Sequence, residues 1–199
     1  MYIFFKRIFD FIFALLLLIL LIPIIGIILI VIKLDSKGPV LFKQKRPGKY
    51  LNIFTMYKFR TMRIELDENG VELSDICRIT RVGMFLRKTS LDELPQLINI
   101  LRGEMSFIGP RPLLVDYLPL YSFEEMRRHD VTPGISGLAQ VNGRNTIDWK
   151  EKFKYDLWYV DNQSFFLDMK ILFITIYCVC SRKGINNSKK ETMPTFKGK

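Results

Sequence analysis

The chain has 199 residues, 49% of them hydrophobic, with a formal net charge of +10. That length accommodates one domain with a real core plus an appendage, and the charge favours anionic partners: nucleic acid, phospholipid head groups or phosphorylated substrates. One histidine (His129) and three cysteines (Cys77, Cys178, Cys180) without CxxC spacing leave almost no material for histidine-based zinc sites or for Ser-His and Cys-His nucleophiles; the odd cysteine count fits a reducing compartment.

Residues 11–32 form an uncharged apolar run. At ~1.5 Å rise per residue such a run just crosses a hydrocarbon core of about 30 Å. It is too long for a signal peptide and no small-x-small cleavage site follows. Pro23 sits in its middle, removing a helix hydrogen bond and predicting a kink. Both flanks are basic: Lys6 and Arg7 before, then Lys33, Lys37, Lys43, Lys45 and Arg46 after. The positive-inside rule wants one flank depleted of Lys and Arg. Two readings stand at this level, a kinked spanning helix and a helix that bends at Pro23 and returns to the same leaflet.

Residues 40–46 and 53–60 alternate apolar and polar around Pro47-Gly48-Lys49-Tyr50, which predicts a β-hairpin. Residues 63–76 are acidic, contain Asn69-Gly70 and read as a surface excursion. Ile79, Val82, Phe85 and Leu86 recur at helical spacing across 78–88, with Arg78, Arg81, Arg87 and Lys88 between them. A helix over 94–101 stops at Gly103. Residues 113–128 predict a further helix, broken at Pro119, and His129 reads as a polar surface residue. Pro133-Gly134-Ile135-Ser136-Gly137 and Asn142-Gly143-Arg144-Asn145 are turns, and 148–160 is an aromatic-rich helix. In 165–182, Asp168 and Lys170 leave only 171–180 uncharged, too short to cross a bilayer; an interfacial or buried helix fits. Residues 183–199 are polar and lysine-rich, the composition of a mobile tail.

The stretch 90–112 carries the chemistry. Ser90-Leu91-Asp92-Glu93 matches a capping box, in which both acids serve a helix start. Pro95 conflicts with that reading, because a proline so close to the cap costs a helix bond. The turn is therefore expected to be distorted or to start later, exposing the carboxylates at a backbone break. A carboxylate there can attack phosphorus, and its neighbour can hold Mg²⁺ or act as acid or base. Cations must accompany them, since transfer from a pyrophosphate ester is mainly positioning and charge neutralisation. Lys58, Arg60, Arg87 and Arg111 are candidates. Arg111 lies between Pro110 and Pro112, which restrict its backbone and favour a bidentate phosphate clamp. Its structural competitor is a buried ion pair. No Walker sequence or GxGxxG is present.

Taken together, several segments resemble the monotopic phosphoglycosyl transferases, or bacterial sugar transferases. They are Lys6-Arg7-Ile8-Phe9-Asp10, Pro23, Arg46-Pro47-Gly48, Tyr57-Lys58-Phe59-Arg60-Thr61-Met62, Ser90-Leu91-Asp92-Glu93-Leu94-Pro95-Gln96, Ser106-Phe107-Ile108-Gly109-Pro110-Arg111-Pro112, Pro133-Gly134-Ile135-Ser136-Gly137 and Gln140-Val141-Asn142-Gly143-Arg144-Asn145. The likeness is closest to the short single-domain members that initiate N-linked protein glycosylation. One departure is Ile22, where family members often have a small polar residue.

The resemblance implies an α+β, mainly helical fold: a re-entrant N-terminal helix-break-helix kinked at Pro23, a small β-hairpin, and amphipathic interfacial helices around one catalytic core. Its parts would be a membrane helix (1–33), a catalytic domain (34–185) and a basic tail (186–199). It implies a ping-pong reaction at the cytoplasmic face of the bacterial inner membrane. Asp92 would attack the sugar-linked phosphate of a UDP-sugar, release UMP, and pass the phosphosugar to undecaprenyl phosphate, the first membrane step of glycoconjugate synthesis. Glu93 would complete the dyad, with Mg²⁺ held by Asp92 and Glu93. Lys58, Arg87 and Arg111 would bind substrate phosphate, with Arg60 and Arg144 as further substrate-site candidates. Partners would be the two substrates, anionic lipid and downstream glycosyltransferases. Two rival readings are a silent membrane-anchored scaffold and a nucleic-acid binder. The dyad beside a clamped arginine argues against the first, and the lack of a recognised motif against the second.

Overall fold

The computed structural model describes residues 1–64, 73–143, 147–181 and 195–198. The chain opens with one helix, α1 (Tyr2–Asp35), and continues through β1 (Leu41–Pro47), β2 (Ile53–Phe59), α2 (Asp75–Arg78), α3 (Arg81–Lys88), α4 (Gln96–Arg102) and β3 (Ser106–Ile108). Then come α5 (Phe123–Met126), β4 (Gly134–Ser136), α6 (Leu138–Asn142), α7 (Trp149–Asn162) and α8 (Phe165–Cys180). This is the expected mainly helical α+β class, with two small two-stranded sheets among the described residues.

The helix α1 is, among the described residues, the one long and apolar enough to cross a membrane. It runs unbroken through Pro23, so the expected helix-break-helix is instead a single helix with an internal proline. A proline deletes one donor and crowds one carbonyl, while the turns on either side remain bonded. Here both sides are also held from outside. Ala14, Leu17 and Leu18 pack with Phe54, Met56, Leu97 and Ile100. Beyond the proline, Ile25, Ile28 and Ile32 pack with Phe59, Leu86, Leu91 and Leu94. The helix is about 51 Å long at 1.5 Å per residue, and it lies along the rest of the protein for most of that length.

Polar ties fix both ends of α1. Lys6 donates to Asp168 Oδ2 of α8 (2.5 Å), which also accepts from Tyr2, while Asp168 Oδ1 accepts from the Tyr159 hydroxyl. Asp10 accepts from the Phe107 amide, and Arg7 donates to the Ile100 and Leu101 carbonyls at the end of α4. At the other end Arg60 donates to the Ser36 and Lys37 carbonyls and to the Ser36 hydroxyl, satisfying groups just past the last turn. Much of the remaining α1 surface is exposed and apolar, from Phe4 and Phe9 to Ile27 and Leu34. The same holds for Phe165, Phe166, Phe173 and Ile176 on α8 and for Met84 and Phe85 on α3. Exposed apolar surface of this extent marks an interaction face, and the length and composition of α1 suit a membrane.

The hairpin forms as predicted, antiparallel with Leu41 opposite Phe59 and Pro47 opposite Ile53. The helix predicted over 78–88 is α3 from Arg81 onward, preceded by α2, which ends at Arg78; Thr80 caps α3 by accepting from the Gly83 amide. A Cβ on Gly83 would lie 2.0 Å from the Thr61 carbonyl oxygen, so α3 is pressed onto the end of the hairpin. The predicted helix over 113–128 is short pieces instead, a 3-10 turn at Val115–Leu120, α5, and a second 3-10 turn at Arg127–His129. Pro119 and the Ser122 capping box impose those breaks. The turn predicted at 133–137 contains β4, paired in parallel with β3. His129 is buried, at 5% exposure, against Tyr121, and burial together with Arg128 pushes its imidazole down to about 4. It is a neutral core residue, which corrects the surface expectation. Within the tail expected to be mobile, Phe196 is buried among Tyr117, Tyr121, Trp149 and Phe153. An aromatic side chain outweighs the polar composition around it.

Removing Asp168 leaves the Lys6 ammonium buried without its closest anion. Asp168→Ala is expected to lower unfolding free energy by about 3–5 kcal/mol, read by chemical denaturation in detergent micelles. The exposed Asp161→Ala is expected to stay within about 0.5 kcal/mol of wild type.

Candidate active site

Between α3 and α4 the chain makes the break that Pro95 demands. Ser90 adopts a left-handed conformation (φ 57°), Leu91–Glu93 form one 3-10 turn, and α4 begins after Pro95. The Ser90 side chain makes no cap bond, so the capping box is absent. Leu91 and Leu94 pack against Ile28 and Ile32 of α1, anchoring the turn on the membrane helix. Asn99 fastens α4 to β2: it accepts from the Tyr57 amide (3.1 Å) and donates to the Thr55 carbonyl (2.7 Å). Gly103 ends α4 in the left-handed conformation (φ 82°), as predicted.

That clamp sets Lys58 beside Glu93. Lys58 Nζ lies 2.7 Å from Glu93 Oε1, and Arg111 Nη2 lies 2.8 Å from the same oxygen. Burial alone would raise the Glu93 carboxyl, but Arg111 and Lys58 override it and hold the group down at about 2. Asp92 differs. It is buried at 8% exposure, and among the described residues no group donates a hydrogen bond to its carboxylate. Burial pushes its carboxyl above the ordinary carboxylate range and the Glu93 charge adds to this; Lys58, Arg111 and Arg87 pull the other way.

Arg111 owes its place to the parallel strands. The Gly109 amide donates to Ser136 and the Gly134 amide to Pro110, continuing the β3–β4 pairing past the strand ends. A Cβ on Gly134 would lie 2.1 Å from the Gly109 nitrogen, so the two segments approach too closely for any side chain. Beyond the turn, Arg128 Nη2 donates to the Arg111 carbonyl (2.7 Å) while pairing with Asp156 of α7 (2.7 Å). Arg46 Nη1 reaches the Pro112 carbonyl at 3.4 Å.

These groups line one open cleft of about 1450 Å³. Leu17 and Leu21 of α1, with Leu94, Leu97 and Phe107, form an apolar lining; Lys58, Arg87, Asp92, Glu93 and Arg111 are polar. The five principal sequence candidates therefore meet in one place. Arg60 borders the cleft, but its guanidinium is engaged with Ser36 and Lys37 at the end of α1. Arg144 lies outside the described residues. Arg46, Arg128, Lys152 and Asp156 also line the cleft and were not singled out as site residues. The signal for Arg46 was present in Arg46-Pro47-Gly48; the other three sit in helical patterns that look like ordinary solvated faces.

Among the described residues, no group of three or more Asp, Glu, His or Cys side chains converges into a metal cage. Mg²⁺ is commonly held by one or two carboxylates with substrate phosphates completing the shell. The Asp92 carboxylate, without protein donors and facing the cleft, fits that mode. Glu93 offers less, because Oε1 already accepts from two cations.

Comparison with known proteins gives the family. Residues 1–182 match the bacterial sugar transferase family, and the chain belongs to it. It is 51% identical over 193 residues to the uncharacterised sugar transferase EpsL of Bacillus subtilis (strain 168), covering 97% of this chain and 96% of that one. It is 46% identical over 184 residues to a Klebsiella pneumoniae UDP-glucose:undecaprenyl-phosphate glucose-1-phosphate transferase, covering 87% of this chain and 39% of that protein's length. The exopolysaccharide production protein PSS of Rhizobium leguminosarum bv. phaseoli is 42% identical over 195 residues, at 89% and 96% coverage.

The adjacent acids have opposite effects on stability. Glu93 is held below its unfolded value of 4.5, so its contribution is fully present above that pH and is lost as pH falls toward about 2. Asp92 is raised, so ionising it near neutrality costs stability. Glu93→Gln is expected to lower unfolding free energy at neutral pH by roughly 2–3 kcal/mol, whereas Asp92→Asn raises the thermal midpoint. Shifts of the same sign would contradict this assignment.

Proposed function

We propose that this protein transfers a sugar 1-phosphate from a UDP-sugar to undecaprenyl phosphate with release of UMP. The observation carrying this reading is the dyad itself. One carboxylate is fixed as an ion-paired anion, its neighbour is buried without donors, and both open onto a cleft with cationic and apolar linings. The names of the Klebsiella relative and of an Escherichia coli (strain K12) relative, 42% identical over 182 residues, describe that donor and acceptor class.

Asp92 acts as the nucleophile. Its carboxylate oxygen attacks the sugar-bearing phosphorus of the donor, and the bond from that phosphorus to the bridging oxygen breaks. UMP leaves with that oxygen, and an aspartyl-phosphosugar remains. An oxygen of the polyprenyl phosphate then attacks the same phosphorus, the acyl-phosphate bond breaks, and the Asp92 carboxylate is restored. Desolvation makes Asp92 a stronger nucleophile than a hydrated carboxylate, while Lys58, Arg111 and Arg87 favour its ionised form and neutralise charge on the transferring group. Glu93 positions Lys58 and Arg111 through one oxygen. Mg²⁺, held at Asp92 and Glu93 with the donor phosphates, would supply further neutralisation of the phosphate oxygens.

The re-entrant topology belongs to the same proposal. It is supported by the ties at both ends of α1, Lys6–Asp168 and Arg60–Ser36, to one domain that also lies along the length between them. Both ends then lie at one face, the cytoplasmic one, and the lipid phosphate reaches Asp92 from the leaflet occupied by α1.

Incubating full-length protein with individual UDP-sugars and no acceptor is expected to give an intact-mass increase of one phosphosugar, mapped to Asp92. Asp92→Asn should abolish the adduct and reduce turnover at least ~1000-fold, and Glu93→Gln should reduce turnover about 100-fold. Absence of any adduct across the panel would refute the covalent mechanism. Single cysteines at residues 4 and 37 are expected to be labelled from the same face of sealed vesicles; labelling from opposite faces would refute the topology.

A further inference from the structure

The aromatic cluster that takes in Phe196 also supports the backbone of the proline-flanked turn. Phe196 lies with its ring centre 5.6 Å from that of Tyr117, 5.7 Å from Tyr121, 5.3 Å from Trp149 and 5.2 Å from Phe153, and its amide donates to the Tyr117 hydroxyl (3.4 Å). The lysine-rich composition around it offers little else to bury, so this ring is what ties the segment down. Two connections lead from the cluster to Arg111. Leu113 and Leu114, which follow Arg111-Pro112 in the chain, pack in the same cluster. The other connection runs through Arg128, whose guanidinium lies over the Tyr121 ring (5.9 Å) and the Phe153 ring (5.7 Å), two of the rings that Phe196 meets. Its Nη2 divides between Asp156 Oδ2 and the Arg111 carbonyl, each at 2.7 Å. Arg111 then holds Glu93 Oε1 at 2.8 Å with a side chain that is 41% exposed, so its aim depends on its backbone more than on close packing.

We propose that Phe196 is a positioning residue for the transfer reaction: seated in the aromatic cluster, it holds Arg128 and the Leu113-Leu114 pair, and through them the backbone of Arg111 against the dyad. This rests on the transferase reading above and adds a segment that the reading does not use. Arg128 is 3% exposed, and its planar fork spans two acceptors at once, so a displacement of the rings behind it moves its bond to the Arg111 carbonyl. Phe153 and Asp156 both belong to α7, so the ring and the carboxylate that hold Arg128 shift together when the cluster loosens. Groups that neutralise a transferring phosphoryl act by placement, and a misplacement of about 1 Å costs up to about a hundredfold in rate. A side chain that only filled space would lower stability without separating kcat from KM.

The test pairs hydrogen–deuterium exchange of the full chain in phosphatidylcholine nanodiscs with steady-state transfer from a panel of UDP-sugars to undecaprenyl phosphate. Phe196→Ala is expected to speed exchange about fivefold or more in peptides covering 109–114 and 127–131, and to leave the hairpin over 41–59 unchanged. It should lower kcat about tenfold while KM for the donor stays within about twofold. Phe196→Leu, which keeps an apolar filler, should recover part of both effects, and it carries the same comparisons if Phe196→Ala does not fold. In an Arg128→Lys background the loss caused by Phe196→Ala should shrink below about threefold, because the connection is already cut. Unchanged exchange over 109–114 overturns the proposal. So does turnover of Phe196→Ala within about twofold of wild type or above it, a rise in KM alone, or a loss that is undiminished beside Arg128→Lys. If exchange responds as expected and wild type transfers from no UDP-sugar, Phe196 still positions Arg111 and the transferase reading falls. If the Asp92 adduct forms in wild type while exchange does not respond, the transferase reading stands and the role of Phe196 falls.

Discussion

One oxygen organises the cleft. Glu93 Oε1 accepts from both Lys58 and Arg111, so a strand, a 3-10 turn and a proline-flanked turn share a single point. Consecutive residues of a 3-10 turn project about 120° apart. Two adjacent carboxylates therefore face different surroundings although they are neighbours in the chain. Glu93 turns toward the two cations and stays ionised. Asp92 turns toward the cleft, where no group among the described residues donates to it. A regular capping box would instead have engaged Glu93 with its own helix start and left Lys58 and Arg111 unpaired. The break enforced by Pro95 is thus the local cause of the site's division into a fixed anion and an uncommitted one.

The same turn is fastened to α1. Leu91 and Leu94 flank the dyad in sequence and pack with Ile28 and Ile32. Rotation of α1 would shift the dyad, and displacement of the dyad would uncover α1. Leu91 and Leu94 are partly buried, so each contributes less than the about 1.5–3 kcal/mol of a fully buried leucine. The apolar end of the cleft therefore forms part of the packing of the helix, and needs no separate cavity of its own. The membrane element and the cationic turn converge on the one short segment that carries Asp92, which is the convergence that the proposed reaction between an acyl-chain acceptor and a water-soluble donor requires.

The sequence showed local features better than distant ones. The hairpin, the stop at Gly103, the distorted start before Pro95 and the helices read over 148–160 and 165–182 were legible because periodicity, glycine and proline act over a few residues. The strands β3 and β4 were not, since three-residue strands carry no period and their pairing is set by close approach at Gly109 and Gly134. Asp168 read as an interruption of an apolar run; its partner Lys6 is 162 residues away, and no local pattern joins them. Arg60 read as a phosphate ligand, whereas the carbonyls it serves belong to the end of α1. His129 lay in a charged run and became core because Tyr121 covers it. The clash between the Ser90–Glu93 cap pattern and Pro95 located the acids in the sequence, but only the fold separates their environments.

The acids that the fold buries make the case for Asp92 sharper. Four aspartates are buried among the described residues: Asp10, Asp92, Asp156 and Asp168. Asp168 takes Lys6 and two tyrosine hydroxyls, Asp156 takes Arg128, and Asp10 takes the Phe107 amide. Each follows the rule that a buried charge is paired or hydrogen-bonded. Asp92 alone has neither, in a chain with a net charge of +10 and cations within its own cleft. A protein so rich in lysine and arginine has ample means to satisfy one more carboxylate. Lys58 and Arg111 both pass Asp92 over for Glu93, which leaves the Asp92 carboxylate facing the cleft without a protein partner among the described residues. Local inconsistency of this kind, in a structure otherwise consistent at every buried acid, is the physical argument behind the proposed role of Asp92.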